Sequence, residues 1–348
     1  MNFVLNDIVR NNIKLLKPYS SARHEYNGRA EIFLDANENS YGSPLPINYN
    51  RYPDPLQWQL KFAIAKIKGV PAENIFVGNG SDEAIDIAFR IFCEPKIDNV
   101  IICPPTYGMY DVSAQINNVP TKKVRLLNNF QLDVNNILEA SDQNTKLIFI
   151  CSPNNPTGNN MNRKDIEMLL NNFSGIVVID EAYINFSRQK SFIAELLEYP
   201  NLIVLQTLSK AWGLASLRIG LAYASIDIID LFNKVKPPYN INEASQNLAI
   251  EALKGNHQVN TWIKQTVSER NSLVQKFSKL PFILKIFESD ANFILVKVKD
   301  SAKIYNLLNS KGIVVRNRSN EIMCENCLRI TVGTPEENSK LLDVLNTI

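Results

Sequence analysis

Histidine is nearly missing from this chain: there are two, His24 and His257, in 348 residues. Neither is spaced from the other, or from the lone CxxC pattern Cys324-Glu325-Asn326-Cys327, as a four-ligand zinc site requires, so no metal centre is expected. The 5 cysteines, an odd number in a chain this long, fit a reducing compartment better than a disulfide framework. Excess charge is lacking as well, since 37 basic and 35 acidic residues leave a net +2. A surface that tracks nucleic-acid phosphates needs clustered Lys and Arg, so a nucleic-acid partner is not implied. No stretch approaches the roughly 20 apolar residues of a membrane span. The start, Met1-Asn2-Phe3-Val4-Leu5-Asn6-Asp7, has neither the basic region nor the apolar run of a secretory signal. The expectation is a cytoplasmic protein with no membrane partner.

What is present is enough apolar sequence for a large core: 45% of residues are hydrophobic and 21% charged. At roughly 150 residues per domain, the length suggests about two domains. Apolar runs at Ile75-Phe76-Val77, Val100-Ile101-Ile102, Leu147 to Ile150, Ile176 to Ile179, Leu202 to Leu205 and Ile219 to Tyr223 alternate with helical stretches such as Asp82 to Phe92 and Arg163 to Asn171. Near-continuous β-branched runs belong to strands covered on both faces, so the fold class expected is α/β, with a mostly parallel central sheet covered by helices. After about residue 240 the pattern changes to a long helical region, Glu243 to Leu280. Strand-like pieces follow at Phe293 to Val298, Gly312 to Val315 and Leu328 to Val332, with a helix at Ala302 to Ser310. This predicts a large domain over 41–242, a smaller α+β domain over 243–348, and an N-terminal segment, 1–40, packed on the small domain.

Polar residues fall repeatedly just after the strands, where open α/β sheets bind ligands. Gly78-Asn79-Gly80-Ser81-Asp82-Glu83 is a glycine turn opening a helix. The free amides of Ser81 and Asp82 suit a phosphate, though an ordinary helix cap uses the same residues and the lysine of a P-loop is missing. In Pro104-Pro105-Thr106-Tyr107 a tyrosine leaves a rigid turn, placed either to stack on a flat ligand or to fill core. Ser152-Pro153-Asn154-Asn155-Pro156-Thr157-Gly158 fixes an asparagine between prolines. Ile179-Asp180-Glu181-Ala182-Tyr183 ends an apolar strand on a carboxylate that needs a cationic partner, with a tyrosine three residues on. Thr207-Leu208-Ser209-Lys210 sets a lysine among small hydroxylated neighbours, with Arg218 eight residues later. A lysine amine condenses with an aldehyde where the neutral amine can form and the aldehyde's anionic tail is held nearby. Read alone, the same window is equally a strand end meeting solvent.

In this order the patterns resemble the fold-type I aminotransferases across most of the chain. Leu34-Asp35-Ala36-Asn37-Glu38-Asn39, Arg51-Tyr52-Pro53-Asp54-Pro55, Gly312-Ile313-Val314-Val315-Arg316 and Cys327-Leu328-Arg329-Ile330-Thr331-Val332-Gly333 are similar to the histidinol-phosphate aminotransferase family in particular. The resemblance implies pyridoxal 5′-phosphate as cofactor, held by the large domain. The reaction implied joins histidinol phosphate and 2-oxoglutarate to imidazole-acetol phosphate and glutamate, in histidine biosynthesis. It makes Lys210 the residue that carries the cofactor and moves the substrate proton, and Asp180 the partner of the ring nitrogen. Asn155 and Tyr183 would contact the phenolic oxygen, and Tyr107 would stack on the ring. Ser81, Asp82, Thr207, Ser209 and Arg218 would bind the phosphate. Tyr52 would reach the site of a neighbouring subunit, implying a homodimer. Arg329 and Arg316 would bind substrate anions, since guanidinium forks take carboxylate or phosphate, and Tyr19 and Asn37 match the substrate entrance. Trp212 and Ser216 depart from the family's usual phenylalanine and glycine. Aromatic amino-acid aminotransferases and threonine-phosphate decarboxylases share these features and stay open as alternatives. A non-catalytic regulator is disfavoured, because no segment is spare for a DNA-binding domain.

Overall fold

The computed structural model describes residues 3–19 and 31–348; His24 and the Ser20-Ser21 end of the motif around Tyr19 lie outside them. The central sheet contains β1 (Ile75–Asn79), β2 (Asn99–Ile102), β3 (Thr121–Lys123), β4 (Thr145–Cys151), β5 (Ile176–Asp180), β6 (Leu202–Thr207) and β7 (Ile219–Tyr223). Its order is β1-β7-β6-β5-β4-β2-β3. From β6 to β3 the neighbours run parallel, and β7 is antiparallel to both β6 and β1. Both faces are buried, which is why these strands are runs of Ile, Val and Leu rather than alternating sequences. Ile148 and Ile150 pack with the helices Trp58–Lys68 and Arg163–Asn172 on one side. Leu147 and Phe149 pack with Ser81–Phe92 and Ile226–Val235 on the other. β3 has no apolar signature because it is a short edge strand, and its Lys122 and Lys123 suit that exposed position.

The small domain is an antiparallel sheet of β8 (Ile283–Ile286), β9 (Phe293–Val298), β10 (Arg316–Asn317) and β11 (Cys327–Thr331), in the order β10-β11-β9-β8. Ile294, Val296 and Ile330 form its core with Phe277, Leu308 and Leu342 from the helices Asn256–Phe277, Ser301–Ser310 and Pro335–Leu345. The last of these opens with a full capping box, in which Thr334 and Glu337 satisfy each other's backbone N–H groups, and with proline in its first turn.

One expectation is refined and two are corrected. The helical region from Glu243 is two helices, Glu243–Leu253 and Asn256–Phe277, broken at Lys254-Gly255. Residues 312–315 are not a strand: Gly312 leaves the preceding helix with φ +74°, and pairing begins only at Arg316. The N-terminal residues pack on the large domain, not the small one. Ile8, Val9 and Ile13 complete an apolar layer with Phe89 and Phe232, the Arg10 N–H donates to the Ile91 carbonyl at 3.0 Å, and the Arg10 guanidinium pairs with Glu94 at 3.0 Å.

One close approach sets the geometry of the ligand end of the large sheet. In the β1–β7 pairing Gly78 faces Gly220, and a Cβ added to Gly220 would stand 2.0 Å from the Ser81 nitrogen and 2.1 Å from the Gly80 carbonyl carbon. Only glycine lets β7 lie against the start of the helix Ser81–Phe92. Gly220→Ala must push that helix start away, and overpacking of this kind costs about 1–3 kcal/mol. Urea unfolding should show a lower midpoint at unchanged slope; a wild-type midpoint would mean the backbone here yields freely.

Candidate active site

The carboxyl ends of β4, β5 and β6 and the start of the helix Ser81–Phe92 enclose a cavity of about 160 Å³. It brings together Ser81, Asp82, Tyr107, Asn155, Asp180, Tyr183, Thr207, Ser209, Lys210 and Arg218, residues drawn from across more than a third of the chain.

One end is built for an anion. Gly80 caps the helix with φ +76° and no side-chain cap bond is made there, so the first amides are left to face the cavity. Arg218, itself at φ +57°, accepts the Gly80 N–H on its carbonyl at 2.7 Å. Its guanidinium lies where a Gly80 Cβ would come within 2.5 Å of Nη2. A cation beside the positive end of a helix is repulsive unless an anion lies between them. Ser209 borders the same space, and its N–H donates to the Thr207 hydroxyl at 3.0 Å. That hydroxyl also bonds the Ile219 carbonyl at 3.3 Å. Thr207 therefore shapes the loop under Ser209, a role that its expected place among the phosphate ligands did not anticipate.

The other end is built for a cation. Asp180, at the last position of β5, is 3% exposed. Its Oδ2 accepts the Tyr110 hydroxyl at 2.8 Å and its Oδ1 the Ala182 N–H at 3.0 Å. Burial pushes this carboxyl up to about 6, while the Tyr110 and Ala182 bonds pull it down. Tyr110 was not evident in the sequence. Its ring is stacked on Phe149 with centroids 4.9 Å apart, in the core beneath the cavity. Its only signal was its place three residues after Tyr107. Tyr107 is half-buried, and its phenol donates to Asp82 Oδ1 at 3.1 Å, which fixes the ring at the cavity edge.

Between the two ends stand Lys210, Tyr183 and Asn155. Partial burial, and then the Arg329 guanidinium, pull the Lys210 ammonium below its ordinary value, with Arg218 adding to them against Asp180 and Asp82. The Lys210 Nζ lies 5.7 Å from the centre of the Tyr183 ring, and that ring is held edge-on to Phe293 at 5.1 Å. Asn155 is 6% exposed, and its Oδ1 accepts a bond from Arg329 Nη1, leaving Nδ2 as its donor toward the cavity. The loop holding Asn155 is braced on both sides. The Asn154 amide donates to the Pro105 carbonyl at 2.9 Å, and the Asp290 N–H donates to the Gly158 carbonyl at 2.7 Å.

Other expected residues stand apart from this cavity. Tyr52 stacks on Tyr239 at 4.5 Å, and both line a separate cleft of about 490 Å³ together with Asn37. Glu38 ties the two N-terminal motifs together, accepting Arg51 Nη1 at 2.7 Å and the Tyr52 N–H at 2.6 Å. Tyr19 lines a third cleft, which Tyr239 also borders. Arg316 faces Arg329 across the β10–β11 ladder, with its side chain exposed. Trp212 fills core space beside the lysine loop. Cys324 and Cys327 are buried free thiols.

Pyridoxal phosphate fits this donor set. It carries a phosphate, a ring nitrogen that becomes cationic when protonated, a phenolic oxygen and an aldehyde. The cavity offers, in matching order, the helix amides with Arg218 and Ser209, the buried Asp180 carboxylate, Asn155 Nδ2 with the Tyr183 hydroxyl, and the Lys210 amine.

Comparisons with known proteins agree with this fit. Residues 46–345 match the family model described as aminotransferase class I and II. The histidinol-phosphate aminotransferase of Parabacteroides distasonis is 54% identical over 344 residues, 99% of this chain and 99% of that protein. Among solved structures, the histidinol-phosphate aminotransferase of Clostridium acetobutylicum superposes with a TM-score of 0.79 at 25% identity, covering 86% of this chain and 90% of that one. That of Sinorhizobium meliloti, in complex with pyridoxal-5′-phosphate, shares the fold with a TM-score of 0.78 at 22% identity, covering 90% of each chain.

Asp180 gives the cavity a pH signature. Its carboxyl is raised in the folded chain, which therefore holds the proton more tightly than the unfolded chain. Its contribution to stability is fullest below about pH 4 and is lost as pH rises to about 6, a change on the order of 3 kcal/mol. Without added cofactor, Asp180→Asn should gain stability on the wild-type protein across that window in chemical denaturation. Parallel curves would mean that the carboxylate is not perturbed.

Proposed function

Because the chain belongs to the class I and II aminotransferases, and within them to the histidinol-phosphate aminotransferase family, we propose that it exchanges amino groups between histidinol phosphate and 2-oxoglutarate. The products are imidazole-acetol phosphate and glutamate, and the step belongs to histidine biosynthesis. The observation that carries this reading is identity of 54% over 99% of both chains. The cavity supports it with each group that the chemistry uses.

Pyridoxal phosphate, when bound, supplies an aldehyde for the substrate amine and a cationic ring that draws electrons from the α-carbon. The chain's own residues do the rest. Asp180 is a buried carboxylate that would pair with a protonated ring nitrogen, and an opposite charge nearby favours the charged form. The Lys210 Nζ, lowered by burial and by Arg329, is eased toward the neutral form that takes a proton from a carbon. Tyr183 and Asn155 present donors to an oxygen beside it. Arg329 would grip a substrate anion, and its bond to the cavity residue Asn155 supports this role.

We read the working unit as a homodimer in the cytoplasm. Tyr52 does not line its own chain's cavity, and Leu34, Tyr41, Leu45 and Ile47, in the segment that precedes it, are exposed. An exposed apolar strip of this kind fits a partner surface. The free thiols Cys93, Cys103, Cys151, Cys324 and Cys327 suit a reducing compartment.

Three measurements test these readings. Lys210→Ala should abolish turnover and the visible absorbance of the lysine-bound cofactor, and retention of both would remove the central assignment. Purified enzyme offered histidinol phosphate, phenylalanine, tyrosine and threonine phosphate with 2-oxoglutarate should prefer the first. Release of carbon dioxide from threonine phosphate, without amino transfer, would make it a lyase. Mixing Lys210→Ala with Tyr52→Ala chains should restore activity that neither parent has, since a mixed dimer then holds one intact site. No restoration would place Tyr52 in its own chain's site.

A further inference from the structure

The face of the small sheet from which Arg329 reaches the cavity residue Asn155 is rich in positive charge. In the β10–β11 ladder Arg316 stands opposite Arg329 and Asn317 opposite Leu328. The Arg318 N–H donates to the Cys327 carbonyl at 2.9 Å, which extends the ladder one residue past β10. Residues two apart on a strand, and residues directly opposite across a ladder, share a face. Arg316, Arg318 and Arg329 are therefore on one face, the face from which Arg329 reaches Asn155.

Like charges so placed repel. The acid against Arg318 is Glu321, whose Oε1 accepts from Nη1 at 3.3 Å while its side chain stays 42% exposed. The Arg318 side chain is only 18% exposed, and its Nε is buried without an acceptor. A buried guanidinium N–H with no partner is costly, and an anion in reach removes that cost. Burial first, and then Arg318, pull the Arg329 guanidinium below its ordinary value, with Arg316 a lesser influence. Arg318 also acts on the Tyr183 phenol, in the cavity wall. Of the two arginines beside Arg329 on this face, Arg318 is thus the better shielded, and Arg316 is exposed.

We propose that Arg318 is a substrate-binding residue that grips, together with Arg329, the phosphate ester of the substrate, and that it discriminates a phosphate dianion from a carboxylate. This rests on the transaminase reading above. A carboxylate offers two oxygens and one charge, which a single guanidinium fork satisfies. A phosphate monoester offers three oxygens and nearly two charges, enough for two forks. The glutamate carboxylate that takes the place of the phosphate then needs Arg329 alone, and the phosphate of histidinol phosphate uses both.

The test is the holoenzyme with Arg318→Gln. The KM for histidinol phosphate should rise roughly ten-fold or more, as expected for loss of a charge-assisted hydrogen bond. The KM for glutamate, the kcat and the visible spectrum of the bound cofactor should change little. Inorganic phosphate, used as a competitive inhibitor of the glutamate half-reaction, should weaken in parallel. Glu321→Gln, which frees Arg318 of its acid, should instead strengthen phosphate inhibition, and it serves if the arginine variant folds poorly. Equal losses for both substrates together with a lower kcat would make Arg318 structural and overturn the proposal, as would unchanged phosphate inhibition in both variants. If the wild-type enzyme does not use histidinol phosphate, the transaminase reading fails, while the affinity of wild-type and variant holoenzymes for inorganic phosphate, measured by calorimetry, still decides the role of Arg318.

Discussion

Arg218 is held against Gly80 at the positive end of an uncapped helix, and Asp180 is sealed from water at the far wall of the same cavity. Each arrangement is unfavourable by itself: the first crowds positive charge, and the second buries a carboxylate. They become favourable together when one ligand brings an anion to the first and a cation to the second. The close packing of Gly220 on Ser81 makes this possible, since it brings the Arg218 turn to the helix start. Glycines here do more than permit a turn. They let the Arg218 turn close on the helix start, at the end of the cavity opposite Asp180.

The polar residues of the cavity were legible in the sequence because they sit at strand ends, where a change from Ile and Val to Asp, Asn or Lys is abrupt. Asp180 and Lys210 each follow such a run, and the sheet brings those ends together without further information. Tyr110 was not legible for the opposite reason. It lies on the buried face of a helix, where an aromatic residue is ordinarily core, and nothing in its neighbours marks a hydroxyl that bonds a carboxylate 70 positions away. Arg318 escaped notice because β10 is two residues long, too short to show an alternating pattern, and Arg316 stood in the recognisable motif. The packing of residues 3–15 was misplaced because helices of four and five residues carry little signal about which domain their few apolar side chains will meet.

Residues of both domains meet at Asn155. Its loop is bonded to the large domain through Asn154 and to the small domain through Gly158 and Asp290, and a side chain at Gly158 would stand 2.8 Å from Ser289 Oγ. The same asparagine accepts from Arg329 on β11. An amide is suited to this post because it has an acceptor and a donor on one rigid plane. The acceptor engages Arg329, the arginine proposed to bind substrate, and under the same proposal the donor serves the cofactor's oxygen. Under the proposed roles, substrate binding on the small domain and cofactor binding on the large one would be linked through this single side chain.

Tyr110 solves a related problem at Asp180. A buried carboxylate can relieve its cost by taking up a proton, and a protonated acid would no longer favour a cationic ring. The Tyr110 hydroxyl donates to one oxygen and the Ala182 N–H to the other, and both bonds oppose the rise that burial imposes. The phenol can do this safely because burial, with Asp180 beside it, holds its own proton well above the usual tyrosine range, so it remains a donor. Its ring is clamped on Phe149, so the hydroxyl arrives in a fixed direction. The apolar core beneath the sheet therefore acts on the chemistry above it: by locking one aromatic ring, it keeps Asp180 oriented and nearer its charged state than burial alone would leave it.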